Sequence, residues 1–473
     1  MVREKSNPGT ETKPSFSILN RSPRVSVRLL RMPGSIIASS IFLAWRTLIL
    51  VEEGWSERGG LAFVSRRNPT LAGKREALGF VLGVLARRNL VDRIIETCHG
   101  SLPLNKERLS LARLAVHLVR DPSRLGIKRG ALEGLRRVCP QPYRSDLERL
   151  IGYVLANEDP ADFVRSPDEN YRLALETGFP IWWVKYCERV WGRSFALELL
   201  RFGPRPRYLH VNNLRADSKV IAELSTLPGL EPLKEFSGFY KSNGERLGGA
   251  LRELLEKGFV EVQDLASFLA VEAGSPRSDD HVLDVCAAPG AKTGALAELM
   301  NNEGEIVSID YSAKRMRDWS RMIKKLGVRT ASGIVEDGTR PGLRHDRIFD
   351  LILVDPPCSG SGIFDRNPGM RWHLSAQRLA KYAQLQYHLL EQCSRFLRPT
   401  GRILYSTCSI ALEENENVIS RFLSSHPEFE VRPVLEGVQL GSPGLRGWSN
   451  CRRFYPHRDA TAGYFIARLE HIS

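Results

Sequence analysis

The chain of 473 residues has no C-x-x-C pair, and none of its eight cysteines, at 98, 139, 187, 286, 358, 393, 408 and 451, joins a Cys/His cluster at zinc-ligand spacing. A disulfide scaffold and a structural zinc or other metal site are therefore disfavoured, and most of these thiols are expected to be small buried hydrophobes in a reducing cytoplasm. Long apolar runs are also lacking. The single segment that imitates one, residues 35–51, follows Arg21, Arg24, Arg28 and Arg31, contains Arg46 and ends in Glu52 and Glu53. It has no small-residue cleavage site, and an arginine at its middle would cost about 2.5–3.5 kcal/mol in a bilayer. No membrane association is expected; the segment reads as a helix packed on the protein, or else as a flexible extension. Two phosphate-binding fingerprints are missing as well. G-x-x-x-x-G-K-[ST] would need glycine at 286 and 291, where Cys286 and Ala291 stand, and G-x-G-x-x-G does not occur.

What is present is a globular composition, 42% hydrophobic and 26% charged, in a chain long enough for two to four domains. The net charge of +14 suits a polyanionic partner such as RNA, although eight Lys/Arg against two Asp/Glu in residues 1–50 place +6 of it there. Residues 1–69 form a basic N-terminal extension with no assigned role. From Lys74 the texture turns helical, with Ala77, Leu78, Val81, Leu82, Val84 and Leu85 at i, i+3, i+4 spacing. A helical domain over 70–160 is expected. Residues 161–275 hold linker helices and a small α/β unit: a strand at 208–212 and helices at 219–224 and 247–257. Trp182, Trp183 and Trp191 lie beside Lys185, Arg189 and Arg193; such interleaving can bind bases, but core packing is the better reading for at least two of the tryptophans.

Over 276–473 strands and helices alternate: strands at 281–285, 306–309, 351–354 and 402–406, helices at 291–300, 313–326 and 376–397. This predicts an α/β, doubly wound (Rossmann-like) parallel sheet, in which ligands lie at the carboxyl ends of the strands. The first strand runs into Cys286, Ala287, Ala288, Pro289, Gly290, Ala291 and Lys292, a small-residue turn that a ligand can approach closely. The second ends at Asp310, placed to accept ribose hydroxyls. Together these point to an adenosine-bearing cofactor. Asp337 either meets its adenine or simply serves its own turn. The third strand delivers Asp355, Pro356, Pro357 and Cys358, held by the paired prolines; the fourth delivers Thr407, Cys408 and Ser409, followed by Glu413, Glu414, Asn415 and Glu416. Two cysteines at the ends of two strands can face one pocket.

These motifs resemble the RsmB/Sun family of RNA 5-methylcytosine methyltransferases: 282–293 its first cofactor motif, 355–362 its Pro-Cys motif, 407–409 its Thr-Cys motif. The resemblance extends over 160–470, through 262–267, 366–372, 453–457 and 463–467, and departs at Ala291, where the family commonly has glycine. It implies S-adenosyl-L-methionine as cofactor, held by the turn 286–292 with Asp310, Asp337 and Asp355, and RNA, ribosomal in preference to transfer, as substrate. It assigns Cys408 as the thiolate that adds to carbon 6 of cytosine and activates carbon 5 for methylation, and Cys358 as the thiol that assists release. Asp355 would contact the methionine end of the cofactor or, if protonated, donate to ring nitrogen 3; Lys292 faces the same crevice or solvent. The helical domain is similar in position to the NusB-like domain of bacterial members, and the small α/β unit to an RNA-recognition-motif-like domain. A cytoplasmic monomer acting on an unstacked base is expected. Cys358 in place of an aromatic argues against an adenine amino-methyltransferase, and the Thr-Cys motif argues against a DNA enzyme. The alternative from another class is a non-catalytic RNA-binding assembly factor with a structural cofactor site.

Overall fold

The computed structural model describes residues 35–99, 104–120, 128–157, 159, 161–242, 248–343 and 348–472; the first 34 positions of the basic extension lie outside them. The N-terminal unit is built from helices α1 (Ile36–Glu52), α2 (Glu57–Arg67), α3 (Lys74–Ala86), α4 (Arg88–His99), α5 (Lys106–Arg120), α6 (Lys128–Val138) and α7 (Arg144–Ala156). The apolar run that imitates a membrane segment is its central helix. α1 has neither glycine nor proline and is apolar on nearly every side, so it is stable only when surrounded. It packs against α2, α3, α5 and α6, with Ile41, Leu43 and Ala44 wholly buried; each Leu or Ile so buried contributes about 1.5–3 kcal/mol. Its polar groups are satisfied internally: Thr47 Oγ1 donates to Leu43 O at 2.7 Å, and Arg46 pairs with Glu107 at 3.0 Å. Residues 38–64 supply one core with residues 77–163, across the boundary expected at residue 70. Among the described residues no helix is long and apolar enough to cross a membrane.

Helices Glu169–Thr177, Ile181–Trp191 and Arg193–Arg201 follow. Trp183 and Tyr186 are buried and stack at 4.9 Å, while the Trp191 indole donates to Tyr455 at 3.0 Å. Packing accounts for these aromatics.

The small unit is a sheet of β1 (Arg207–Val211), β2 (Leu230–Pro232), β3 (Phe239–Ser242) and β4 (Val260–Val262), antiparallel in the order β2-β3-β1-β4. Helices Ser218–Thr226 and Gly249–Lys257 cover it, packing Val220, Leu224, Leu251 and Leu254 on Leu209, Val211 and Val260.

The C-terminal unit carries β5 (His281–Val285), β6 (Glu305–Asp310), β7 (Ala331–Val335), β8 (Phe349–Val354), β9 (Leu397–Thr407), β10 (Phe429–Arg432), β11 (Ser442–Pro443), β12 (Arg452–Phe454) and β13 (Tyr464–His471). The order is β11-β12-β13-β9-β8-β5-β6-β7, with β10 also on β13. Only β9-β8-β5-β6-β7 are parallel; β13 runs antiparallel to β9 and to β12. The four strands expected from the sequence, β5, β6, β8 and β9, lie in the parallel part; the chain from β12 to β13 is too short for a crossover helix and reverses direction. The chain winds from β5 out to β7 and then returns to β8 on the other side of β5, opening a crevice between β5 and β8.

The helical unit and the C-terminal sheet are bonded through the loop after β8. The Gly369 N–H donates to the buried Glu57 carboxylate at 2.8 Å, and the Trp372 indole donates to Leu85 O at 2.8 Å. Arg371 reaches Gly178 O and Phe364 O, each at 3.3 Å.

Candidate active site

The carboxyl ends of β5, β6, β8 and β9 converge on the crevice. At the end of β5 the backbone turns sharply, with Cys286 at φ 63° and Gly290 at φ 115°, a bend that glycine takes without strain. A helix begins at Ala291, aiming free N–H groups at the turn. Burial pushes the Cys286 thiol well above its ordinary value, so it packs as a neutral side chain. Beneath the turn Asp284 is buried and accepts from Thr293 Oγ1 at 2.5 Å, and Thr293 in turn accepts from the Trp319 indole at 2.9 Å. Burial raises Asp284 to about 7.

Asp310, ending β6, is buried; its Oδ1 accepts from Ser312 N at 3.0 Å. Its Oδ2 lies 3.0 Å from the Arg315 guanidinium yet makes no aligned hydrogen bond. Arg315 also donates to Ala288 O, tying this carboxylate to the small-residue turn. Asp337 is exposed and accepts from Thr339 N and Oγ1 at 2.9 and 2.8 Å. These bonds tie Asp337 to its own turn.

Asp355, one residue beyond β8, accepts from three donors: Lys292 Nζ at 2.7 Å, Ser406 Oγ at 3.2 Å and Tyr464 OH at 3.3 Å. Burial opposes the ammonium, but Asp355 and Tyr464 beside it outweigh burial and raise Lys292 above the usual lysine value. Lys292 therefore faces the crevice and not solvent.

Cys358 and Cys408 are both free thiols, with their sulfurs 3.1 Å apart. The contact with Cys408, reinforced by burial, raises Cys358 well above the ordinary thiol value.

Sequence reasoning missed what holds the two cysteine loops together. Glu414, fully buried, accepts from Ser359 N at 2.7 Å, from Ser359 Oγ and Ser409 Oγ at 2.5 Å each, and from Gln386 Nε2 at 3.1 Å. Thr407 Oγ1 donates to Asn415 at 2.6 Å. Arg453 and Glu416, buried together, make two hydrogen bonds of 2.6 and 2.5 Å, and Arg453 also donates to Ile410 O. The one signal of this support in the sequence is the position of the acidic run 413–416 directly after the cysteine loop.

Residues 271–470 match the family described as 16S rRNA methyltransferase RsmB/F. The probable ribosomal RNA small subunit methyltransferase B of Bacillus subtilis is 32% identical over 305 residues, 63% of this chain and 67% of that protein. The protein of the same description from Synechocystis is 28% identical over 424 residues, 84% of this chain and 91% of the other. Among solved structures, PH0851 superimposes with a TM-score of 0.73 at 27% identity, covering 94% of this chain and all of that one.

Proposed function

The chain belongs to the RsmB/F family of RNA cytosine-C5 methyltransferases, and from that premise we propose that it methylates carbon 5 of a cytosine in small-subunit ribosomal RNA through a covalent adduct on Cys408. The observation that carries this reading is the pair of thiols at 3.1 Å beside the Lys292–Asp355 ion pair. Ribosomal RNA is preferred because the two bacterial relatives, one aligned over 91% of its length, are described as small-subunit ribosomal RNA enzymes. The enzyme acts in the cytoplasm as a monomer. The helical unit is NusB-like and the β1–β4 unit RNA-recognition-motif-like, both serving to hold RNA.

The methyl donor is S-adenosylmethionine, which supplies an electrophilic methyl on a sulfonium. The residues present fit it. The small-residue turn 286–290 and the helix start at Ala291 and Lys292 can receive its carboxylate end, and Asp310, with an oxygen that lacks an aligned hydrogen bond, can receive ribose hydroxyls. Asp355 closes the methionine side, and Asp337 stands at the adenine side.

Carbon 5 of cytosine is a poor nucleophile. Addition of the Cys408 thiolate to carbon 6 forms a sulfur–carbon bond and moves the ring electrons onto carbon 5 and nitrogen 3. The Lys292 ammonium stabilises negative charge on the ring, while Asp355, steadied by Ser406 and Tyr464, holds that ammonium in place. Once carbon 5 carries the methyl group, its hydrogen must leave as a proton. Return of that electron pair to the ring expels Cys408. Cys358, in contact with the departing sulfur, assists its release as a thiolate, and the proton from carbon 5 passes to water.

The test is methyl transfer from labelled donor to an unmethylated small-subunit ribosomal transcript and to a tRNA transcript, with bisulfite mapping of the product. Methyl-5-cytosine on the ribosomal transcript is expected. A product confined to tRNA would move the substrate, and a methyl group on any atom other than carbon 5 would overturn the reaction.

A further inference from the structure

The helical and catalytic units meet along an open groove of about 160 Å³, lined on one side by Trp55 and Glu57 and on the other by Ser359, Arg378 and Tyr382. Ser359 directly follows Cys358 in the chain. Trp55 and Tyr382 are partly exposed, and the exposed Arg378 guanidinium lies 6.0 Å from the Tyr382 ring centre. Aromatic faces beside a cation are the chemistry that holds an unpaired nucleobase.

Helix α2 starts at this groove, capped by Ser56 Oγ. One of its faces, with the start of α3, lines a second and wider groove of about 600 Å³ that contains Arg58, Ser65, Arg66 and Lys74. The three cations are exposed, and among the described residues none has a carboxylate at ion-pair distance. Elsewhere in the same unit Arg46, Arg88 and Arg113 are all ion-paired. Solvation alone would explain lone surface cations. It does not explain why all three line one groove along a helix that begins at the aromatic pair.

We propose that the single RNA strand carrying the target cytosine leaves the catalytic crevice past Ser359. It places a neighbouring base between Trp55 and Tyr382, and its phosphates follow Arg58, Arg66 and Lys74 along α2. The proposal rests on the RNA methylation reading and gives residues 55–74 a role in it. A single strand is favoured over a duplex because stacking on Trp55 or Tyr382 needs a base freed from its own stack.

The full-length protein, Trp55→Ala and the surface double variant R58E/R66E are compared by fluorescence anisotropy on a single-stranded oligoribonucleotide of roughly 12 nucleotides and on its duplex. Methyl transfer to the ribosomal transcript and calorimetric S-adenosylmethionine affinity are measured alongside. We expect Trp55→Ala to weaken single-strand binding about tenfold and to raise the KM for RNA in step. R58E/R66E should reduce the slope of log affinity against log salt by about 1.4, roughly 0.7 for each phosphate that an arginine no longer neutralises. Donor affinity should not change in either variant. Because both arginines are exposed, the double variant stays informative if Trp55→Ala folds poorly. Unchanged affinity, KM and salt slope in a protein that methylates RNA would overturn the strand path and leave the reaction standing, as would tighter binding of the duplex. Binding that depends on the groove without any methyl transfer would uphold the path and overturn the reaction.

Discussion

Cys358 and Cys408, 50 residues apart in sequence, hold their sulfurs 3.1 Å apart at the ends of the adjacent strands β8 and β9. Cys408→Ser should transfer no methyl group while it still binds the donor, and Cys358→Ala should accumulate a covalent protein–RNA adduct. Denaturing gels after incubation with RNA and labelled donor read both outcomes, and full activity in Cys408→Ser would sink the assignment.

Glu414 joins the two cysteine loops by accepting four hydrogen bonds while fully buried. Glu414→Ala leaves those donors unpaired, which should cost at least about 3 kcal/mol and lower Tm by several degrees. Glu414→Gln, which keeps one acceptor oxygen, should fall between that variant and the wild type. A Glu414→Ala protein with wild-type Tm and turnover would show that the loops are held by something else.

Asp284 gives stability a pH dependence. Burial raises it from 3.8 in the open chain to about 7 in the fold, so the folded protein retains a proton that the unfolded chain releases. Its contribution is fully present below pH 3.8 and is lost as pH rises through about 7, a swing of up to about 4 kcal/mol. Asp284→Asn keeps an acceptor for Thr293 and should flatten this decline. Denaturant melts of both proteins from pH 5 to pH 8 check it; parallel pH profiles would count against the buried carboxyl as the cause.

Gly362 lies against Gly463 where the Pro-Cys loop meets the entry to β13. A Cβ at 362 would stand 1.9 Å from Gly463 O, a backbone atom that cannot step aside, and the N–H of Gly362 donates to Cys408 O at 3.0 Å. Gly362→Ala should therefore lower both stability and turnover, and an unaffected kcat would contradict the contact.

The sequence made the chemistry legible where chemistry sits at strand ends. Cys286 to Lys292, Asp310, Asp355, Cys358 and Cys408 all follow apolar strands, and that pattern locates them at one crevice. The supports were illegible because they come from distant elements. Tyr464 and Ser406 meet Asp355 only once β13 reverses beside β9, and no local period announces such a pairing. β7 escaped notice because its residues are mostly exposed, as befits an edge strand without an alternating apolar face. α1 was ambiguous for the opposite reason: a helix buried on all sides has no polar face to betray its period, and the Glu107 that accommodates Arg46 lies 61 residues away.

The bonds from Glu57 to Gly369 and from Leu85 to Trp372 also bear on how the enzyme is made. Domains generally fold as units, the N-terminal one first, as the chain leaves the ribosome. The carboxylate of Glu57 and the carbonyl of Leu85 are then already in place when residues 369–372 emerge, so the loop that follows Cys358 can be received on a finished surface. Synthesis in the opposite order, as in a circular permutant that begins at β5, would release the thiol pair before anything had fastened that loop.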